Sequence, residues 1–407
     1  MNTLRTLVKK DGVLLIAVVA LVWCGIGAGD WFMRIRWFRW QQGFFIRPSN
    51  VMSGPYAPLQ TRTNAASRGG DLTLLTGLDA VVQRYGEEKP AWVFVSDEYG
   101  FPNHPPTLSN DYPIVIASDS YMVVGPGISN SFPGQLEKIS GHRVFNHSYE
   151  GRGTFWGLMR FLVAERFMER KPRVLIWSAV ERDIGGDSFA GVEAQLLSFG
   201  ELTSNVVNQT RFNWYALQPA SLRRSLPNTS AYSQAANKAW NNLRYRVFGR
   251  MSPYVIPSVE PRSQRPMLLY YPSIDALRWS EKQRFLLQVV RIVKRVQGIL
   301  RERGIELVFV LIPDKEDVYR DLIPARYDQP DKPLRPSILP GLEHDLRTNG
   351  VEVVNLGPVF EEARQRGELV FWLDDTHWRP EGIQLATRVV WDRIKHLVEP
   401  ATNGTSP

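Results

Sequence analysis

Two short segments, far apart in the chain, contain the residue types that nucleophilic catalysis requires. The first, IASDSYMVVGPG, places Ser120 just after a short apolar run, and the second, FWLDDTHWRPEG, contains Asp374, Asp375 and His377. A carboxylate fixes the tautomer of an imidazole and stabilises its protonated form, and the imidazole can accept the proton of a serine hydroxyl. The two segments therefore predict a site in which Ser120 is the nucleophile, His377 the base and Asp375 the acid.

The elements between these segments support their convergence. A serine after a strand often caps the next helix, and a loop histidine can be satisfied by a helix end, so neither segment is decisive alone. Short apolar runs, with amphipathic helical patterns between them, recur at 113–118, 143–146, 173–180, 305–313 and 351–356. This alternation predicts a doubly wound α/β domain with a parallel sheet. Functional groups of such sheets gather beyond the carboxyl ends of the strands, where both segments can meet.

Further candidates follow the other strands. Gly151 could bring a backbone N–H to an oxyanion, and Arg182 could supply a charged donor to the same oxyanion. Lys315 and Tyr319 are candidates for the mouth of the site, and Trp378 for its wall. Each also has a structural alternative, which is a turn for the glycine, an ion-pair network for the arginine, and packing or solvation for the other three.

The order of these residues resembles the SGNH hydrolase and acyltransferase superfamily. Its blocks read G-D-S, a glycine turn that begins with Asn, G-x-N-D, and D-x-x-H. Residues 118–120 are similar to the first block and Asn146 to Gly151 match the second, whereas residues 180–183 depart most from the third. The resemblance implies an SGNH (flavodoxin-like) three-layer α/β/α sandwich with a parallel sheet. It also implies oxyanion or substrate-binding roles for Asn146, Gly151 and Arg182, with the arginine replacing the third-block asparagine.

Several segments are similar to the glycan O-acetyltransferase branch of this superfamily, typified by the periplasmic alginate O-acetylation proteins. They are Asp375 to Trp378 with Pro380 and Gly382, the pair Glu181-Arg182, and IPDKEDVY with Lys315 and Tyr319. The D-T-H-W match favours Asp375 as the partner of His377, although Asp374 fits the general D-x-x-H spacing. The serine block comes first here, whereas it follows D-T-H-W in the alginate proteins. The branch implies a polysaccharide acceptor and an integral-membrane acyltransferase as acyl donor.

The N-terminal part predicts membrane attachment. Residues 13–29 are nearly free of polar side chains and follow three basic residues, as in a signal anchor, although the small residues near Ala28 also fit a cleaved signal peptide. We expect a cytoplasmic tail over 1–12, an anchor over 13–29, an interfacial collar and tether over 30–92, a catalytic domain over 93–400, and an insertion over 202–268. The insertion is either a partly ordered excursion or a lid or glycan platform. With the resemblance, this predicts a single-pass inner-membrane protein whose catalytic domain lies in the periplasm.

Composition excludes several other classes. The 49 basic and 41 acidic side chains give a net charge of +8, spread along the chain, which suits an anionic glycan or lipid surface as well as a solvated basic face. No nucleic-acid-binding pattern accompanies this charge. The only cysteine, Cys24, lies in the apolar segment, and neither a metal-ligand spacing nor a phosphate-binding loop is present. The sequence therefore predicts a protein without a metal or other cofactor.

Three functions are compatible with these residues. The first is an O-acyltransferase, most simply an O-acetyltransferase, which modifies an exported polysaccharide through an acyl-enzyme on Ser120. The second is an esterase or deacetylase in which water resolves the same intermediate. The third is a glycan-binding scaffold of an export complex with a decayed site, an interpretation that the presence of Ser120, Asp375 and His377 disfavours.

Overall fold

The computed structural model describes residues 56, 58–107, 111–123, 125–149, 154–162, 164, 166–184, 196, 231–249, 251–278 and 282–399, with scattered positions between 14 and 28. Within these residues, no helix is long and apolar enough to cross a membrane. Most of the predicted anchor, the collar that follows it, and nearly all of the predicted insertion before residue 231 lie outside the described residues.

The described elements alternate as the apolar runs predict. The strands are β1 (Thr61–Asn64), β2 (Ser67–Arg68), β3 (Glu88–Lys89), β4 (Trp92–Val95), β5 (Ile114–Ile116), β6 (Val144–Asn146), β7 (Val174–Val180), β8 (Val255–Glu260), β9 (Arg265–Tyr270), β10 (Glu306–Ile312) and β11 (Glu352–Asn355). The helices are α1 (Asp71–Thr76), α2 (Asp79–Tyr85), α3 (Phe132–Ser140), α4 (Thr154–Leu162), α5 (Arg166–Glu169), α6 (Ala231–Phe248), α7 (Tyr271–Arg278), α8 (Lys282–Arg301), α9 (Lys315–Val318), α10 (Leu339–Thr348), α11 (Gly357–Gln365) and α12 (Pro380–Val398).

Five strands form one parallel sheet in the order β11-β10-β7-β5-β6. Counted along the chain this order is 2-1-3-4-5, so the direction of winding reverses between β5 and β7. The loops that follow these two strands diverge, which opens a crevice at the carboxyl edge of the sheet. Ser120 follows β5 and Arg182 follows β7. The predicted α/β fold with a parallel sheet is confirmed.

The sheet is covered on both faces. In β7, Leu175 and Trp177 belong to one buried cluster, with residues of α4, α8 and α10, whereas Val174 and Ile176 belong to a second, with residues of α3, α11 and α12. Successive side chains of a strand point to opposite faces, so burial on both sides requires apolar residues at every position. This explains why the strands read as continuous apolar runs.

Residues before the sheet and the hairpin of β8 and β9 pack against the loop that carries His377. The two hairpin strands pair antiparallel, and the backbone N–H of Leu268 donates to the Leu373 carbonyl at 2.7 Å. Leu72 of α1 is fully buried, and its N–H donates to the Asp374 carbonyl at 3.2 Å. The structure thus brings together residues on both sides of the predicted boundary between 92 and 93. It also joins the end of the predicted insertion over 202–268 to the C-terminal loop.

Candidate active site

Ser120, His377 and Asp375 form a chain of hydrogen bonds. Nε2 of His377 lies 3.0 Å from Oγ of Ser120, and Nδ1 of His377 lies 2.7 Å from Oδ1 of Asp375. A carboxylate at Nδ1 accepts the proton on that nitrogen, which leaves Nε2 free to accept the serine proton. The structure brings these three predicted residues together, and it places Asp375 on the imidazole rather than Asp374.

The turn that carries the nucleophile is tied to the loop that carries the base. Ser120 begins a short 3₁₀ turn, Ser120–Met122, directly after β5, and the Asp119 carboxylate caps this turn by accepting the Tyr121 N–H at 3.0 Å. Tyr121 is fully buried, and its hydroxyl donates to the Thr376 carbonyl at 2.6 Å. The distance between nucleophile and base is therefore set by a direct link between their neighbours in sequence.

The second oxygen of the Asp375 carboxylate is held from the opposite side by residues that precede the sheet. Nζ of Lys89 donates to Oδ2 of Asp375 at 2.9 Å, and the backbone N–H of Asp71 donates to the same oxygen at 3.2 Å. Charge-assisted bonds of this kind are stronger than neutral ones and keep the carboxylate ionised. Asp375 is thus fixed in position at both oxygens.

A second carboxylate, that of Asp71, holds the residue between the acid and the base. Its Oδ1 accepts the backbone N–H of Thr376 at 2.8 Å, and its Oδ2 accepts the Thr376 hydroxyl at 2.5 Å. The same Oδ2 lies 3.6 Å from Nδ1 of His377. Asp71 therefore fixes the loop backbone and adds a second negative charge beside the imidazole.

Lys315 binds the loop from inside the core. Its side chain is fully buried, and Nζ donates to the carbonyls of Leu268, Leu373 and Asp375 at 2.6, 3.0 and 3.2 Å. An ammonium group has three donors, and all three are used here. Burial lowers the pKa of Lys315. The side chain that the sequence placed at the mouth of the site instead connects the β9 strand to the backbone of the catalytic loop.

Asp374 and Glu87 complete this support. Oδ2 of Asp374 accepts the Glu87 N–H at 2.9 Å, and Oδ1 lies 3.7 Å from the Lys89 ammonium. Oε2 of Glu87 accepts the Leu373 N–H at 2.5 Å, while its other oxygen pairs with Arg265 and Arg379. Asp374 is therefore turned away from His377 and attaches the loop to the segment before β3.

The electrostatics of these residues favour an ion pair between Asp375 and a protonated His377. Burial by itself lowers the pKa of His377, but the hydrogen bond and charge of Asp375, together with the charge of Asp71, raise it above its ordinary value. Burial by itself raises the pKa of Asp375, but His377 and Lys89 hold it well below its ordinary value. Asp375 thus stays ionised and stabilises a protonated His377.

Arg182 lies at the same edge of the sheet, in an ion pair. One of its terminal nitrogens, Nη1, is 2.5 Å from Oδ1 of Asp314 and 3.5 Å from the Tyr121 hydroxyl. Its positive charge acts on His377, whose pKa it lowers, and on the buried Asp119, whose pKa burial raises to about 6. Arg182 is therefore close enough to influence the triad, and it is held rigidly by its partners.

The structure places two further predicted site residues, Asn146 and Tyr319, inside the protein. Asn146 is buried, and its amide group donates to the Met122 carbonyl at 2.9 Å and accepts the Ser148 N–H at 3.1 Å, so it braces the turn of Ser120. Tyr319 is buried in the core, where its hydroxyl accepts the Val370 N–H at 3.2 Å. Gly151 lies outside the described residues.

An aromatic cleft of about 190 Å³ opens beside the triad. Its lining includes His377 and Asp375, and Trp378 forms part of its buried wall, stacked on Phe132 with ring centroids 5.8 Å apart. The other aromatic walls are Tyr56, Trp92, Phe94 and Trp372. Flat apolar surfaces of this kind pack against the carbon–hydrogen faces of small organic ligands. Tyr319 does not line this cleft; it lines a separate pocket together with Arg262 and Arg364.

The acidic groups of the site also have the spacing of a metal site. The ligand atoms of Asp71, Asp375 and His377 lie within 4.8 Å of one another. In this geometry Nδ1 of His377 bonds Asp375, and the Lys89 ammonium occupies the other oxygen of the same carboxylate. The Lys89 ammonium already neutralises the Asp375 carboxylate. The side chains of Asp71, Asp375 and His377 therefore fit a hydrogen-bond network better than a metal site.

Three residues that hold the Asp375 loop were not identified from the sequence. Glu87, Lys89 and Asp71 all fall in the predicted collar and tether over 30–92, and the last two lie 286 and 304 residues before Asp375. The sequence GGDLTLL marks Asp71 as the start of a helix, which is a signal for a cap but not for this contact. Nothing local marks Lys89.

The comparisons with known proteins agree with the C-terminal part of this site. Residues 271–406 match the family described as SGNH hydrolase-like domain, acetyltransferase AlgX. The matched residues contain Lys315, Asp375 and His377, whereas Ser120 and Arg182 precede them. No curated protein matches the sequence.

Solved structures add no argument beyond this. One crystal structure that matches has 11% sequence identity and a TM-score of 0.29, and the match covers 69% of this chain and 95% of that chain. A similarity at this level supports no conclusion about fold or function. The resemblance that the motifs indicate is therefore confirmed by the family match alone, which covers residues 271–406.

Proposed function

We propose that this protein is an O-acetyltransferase that acts on a polysaccharide through an acyl-enzyme on Ser120. The observation that carries the proposal is the hydrogen-bonded order of Ser120 Oγ, His377 Nε2, His377 Nδ1 and Asp375 Oδ1, at 3.0 and 2.7 Å. The match to the AlgX acetyltransferase family supports the reaction class.

In the first half-reaction, Ser120 Oγ attacks the carbonyl carbon of the acetyl donor while its proton moves to Nε2 of His377. The tetrahedral intermediate collapses, the bond to the leaving group breaks, and His377 returns the proton to that group. Asp375, whose pKa is held well below its ordinary value, stabilises the imidazolium between the two proton transfers. Ser120 then carries the acetyl group as an ester.

In the second half-reaction, a sugar hydroxyl gives its proton to Nε2 of His377 and attacks the acetyl-Ser120 ester. Collapse of the second intermediate forms the sugar ester and returns the proton to Ser120. The oxyanion of both intermediates needs donors, for which we propose Arg182 and backbone N–H groups near Gly151. The position of Arg182 supports this role, because its Nη1 lies 3.5 Å from the Tyr121 hydroxyl and the Tyr121 ring centroid lies 5.0 Å from that of His377.

An acetyl-transfer assay tests this proposal. Wild-type protein and Ser120→Ala would be given a chromogenic acetyl ester and a panel of oligosaccharides, and the acetylated sugars would be measured by mass spectrometry. We expect acetylated sugar from the wild type alone. Release of free acetate across the whole panel, without any acetylated sugar, would show that the protein is a hydrolase and not a transferase. Equal turnover by both proteins would refute a role for Ser120.

We further propose that the N-terminal segment anchors the protein in the bacterial inner membrane with the catalytic domain in the periplasm. An integral-membrane acyltransferase would then supply the acetyl group. The apolar sequence of residues 13–29, which follows three basic residues, supports the anchor, and the motif resemblance to the periplasmic alginate O-acetylation proteins supports the compartment and the acyl donor. Fusion of alkaline phosphatase, which is active only outside the cytoplasm, to the C-terminus should give an active reporter, whereas an inactive, stably expressed fusion would place the domain in the cytoplasm.

A further inference from the structure

Helix α6, Ala231–Phe248, has one face attached to the domain. The side-chain amides of Asn241 and Asn242 donate to the carbonyls of Thr76 and Gly77 at 3.3 Å each. Tyr245 packs against the small buried cluster that includes Leu72 of α1. These residues lie on one side of the helix, so this side of α6 is fixed to the carboxyl end of α1.

The opposite face of α6 is apolar and exposed. It presents Trp240, Leu243, Val247 and Phe248, whose exposed fractions lie between 52% and 67%. The spacing of 3, 4 and 1 residues places these side chains on one continuous stripe of a helix with 3.6 residues per turn. We call this stripe the α6 face. A contiguous group of large exposed apolar side chains marks a surface that binds something.

The charges around the α6 face indicate its partner. Residues 231–248 contain three basic and no acidic side chains. Arg244 lies within the arc of the stripe, and Arg246 lies at its margin and is exposed. Tryptophan and aliphatic residues on one face with arginines beside them are typical of helices that lie in the surface of an anionic bilayer. We propose that the α6 face rests on a membrane surface that contains anionic lipids.

This contact would place the triad close to the membrane. The Asn241 side chain contacts the carboxyl end of α1, and α1 begins at Asp71, which binds Thr376 beside His377. Leu74 and Leu75, also on α1, are exposed. A triad near the bilayer could take its acetyl group directly from a donor protein embedded there, and this consequence rests on the proposed function. The contact itself does not depend on that function.

The single native cysteine makes a direct test feasible. Full-length protein with Cys24→Ser would carry either Leu243→Cys or Leu287→Cys, each labelled with a nitroxide and reconstituted into bilayers. Leu287 lies on α8 and has an exposed fraction of 67%, so it is a matched control. Accessibility of each label to oxygen, which concentrates in lipid, and to a water-soluble nickel chelate would be measured in bilayers with phosphatidylglycerol and in bilayers of phosphatidylcholine alone.

We expect the Leu243 label to become severalfold more accessible to oxygen and less accessible to nickel in the anionic bilayers, and the Leu287 label to stay accessible to nickel. Adding Arg244→Glu and Arg246→Glu should reverse the protection of the Leu243 label. Equal nickel accessibility of both labels would overturn the proposal. A Leu243 label that is poorly accessible to both oxygen and nickel would overturn it as well, since another part of this chain or a second copy would then cover the face. These outcomes do not depend on acetyl transfer.

Discussion

At the scale of single residues, Asp375 is held at both carboxylate oxygens. One accepts the His377 Nδ1 proton, and the other accepts the Lys89 ammonium and the Asp71 N–H. Lys89 and Asp71 do not touch Ser120 in the structure, so we treat them as positioning residues for the acid and its loop. Their removal should change the rate and its pH dependence more than the fold.

Replacement of Lys89 by Met removes the cation from Asp375 and from the buried Asp374. We expect kcat to fall by about 10- to 100-fold, because loss of a hydrogen bond to a charged group costs roughly 1–3 kcal/mol and about 1.4 kcal/mol corresponds to tenfold. Steady-state kinetics with a chromogenic acetyl ester measure this. Lys89→Arg should recover part of the loss, and Lys138→Met, at an exposed position of α3, should have no effect. Unchanged kcat in Lys89→Met would contradict the positioning role.

Replacement of Asp71 by Asn removes one of the negative charges that raise the pKa of His377. His377 must be neutral to act as base, so activity is lost as the pH falls through its pKa. Because that pKa should decrease in the variant, we expect the acid limb of the pH profile of kcat/KM to move to lower pH, together with a lower plateau. Asp392→Asn, on the surface of α12, should leave the profile in place. A shift to higher pH would show that Asp71 does not act through His377.

At the scale of elements, α1 and the loop of His377 are in unusually close contact. A Cβ atom on Gly70, the residue before α1, would lie 2.6 Å from both the Asp374 carbonyl oxygen and the Asp375 Cβ. Only glycine permits this approach without a shift of one segment. The close approach is also what brings the Asp71 N–H to the Asp375 carboxylate.

Gly70→Ala should therefore displace the Asp375 loop and reduce kcat severalfold or more, with a lower melting temperature. Gly298→Ala is the matched control, because a Cβ atom there meets nothing within 4 Å and alanine is favoured over glycine inside α8 by about 1 kcal/mol. The control should be active and equal or higher in melting temperature. Full activity of Gly70→Ala would show that the approach of α1 is not required.

Lys315→Met should destabilise the domain at the same junction. It removes the donor that the carbonyls of Leu268, Leu373 and Asp375 share, and only the Leu373 carbonyl is known to keep a second donor, the Leu268 N–H. Each buried polar group left unsatisfied costs roughly 1–3 kcal/mol. We expect a decrease of several kcal/mol in the free energy of unfolding, measured by denaturation in urea, and a large loss of activity. A stability equal to that of the wild type would indicate that the ammonium is dispensable.

The elements that carry the site residues also explain which of them the sequence predicts. Ser120 follows a strand, and Asp375 and His377 stand in a local motif just before helix α12, so local patterns mark all three residues. The order of strands in a doubly wound sheet allows the two segments to meet at one edge. Lys89, Glu87 and Asp71 reach the same loop through tertiary contacts that no local periodicity encodes. Tyr319 shows the converse case, since a position after β10 does not reveal that its side chain turns into the core.

At the scale of the whole molecule, the site is built from three parts of the chain. The sheet supplies Ser120, the C-terminal loop supplies His377 and Asp375, and the segment from Gly70 to Lys89 supports the acid. A chain that begins at residue 93, the predicted domain boundary, would lack this support and the buried Leu72. We expect it to be inactive and to unfold at a lower temperature than a chain that begins at residue 54, which should keep its activity. Similar activity of the two chains would contradict the three-part site.

The central claim, that Ser120 carries the acetyl group, can be tested by trapping the intermediate. Wild-type protein, Ser120→Ala and His377→Ala would be mixed with the chromogenic acetyl ester without acceptor, quenched in acid, digested and analysed by mass spectrometry. We expect one acetyl group on Ser120 in the wild type, no acetyl group in either variant, and loss of the group from the wild type when an acceptor oligosaccharide is added. Acetylation of a different residue, or equal acetylation of the Ser120→Ala variant, would contradict an acyl-enzyme on Ser120.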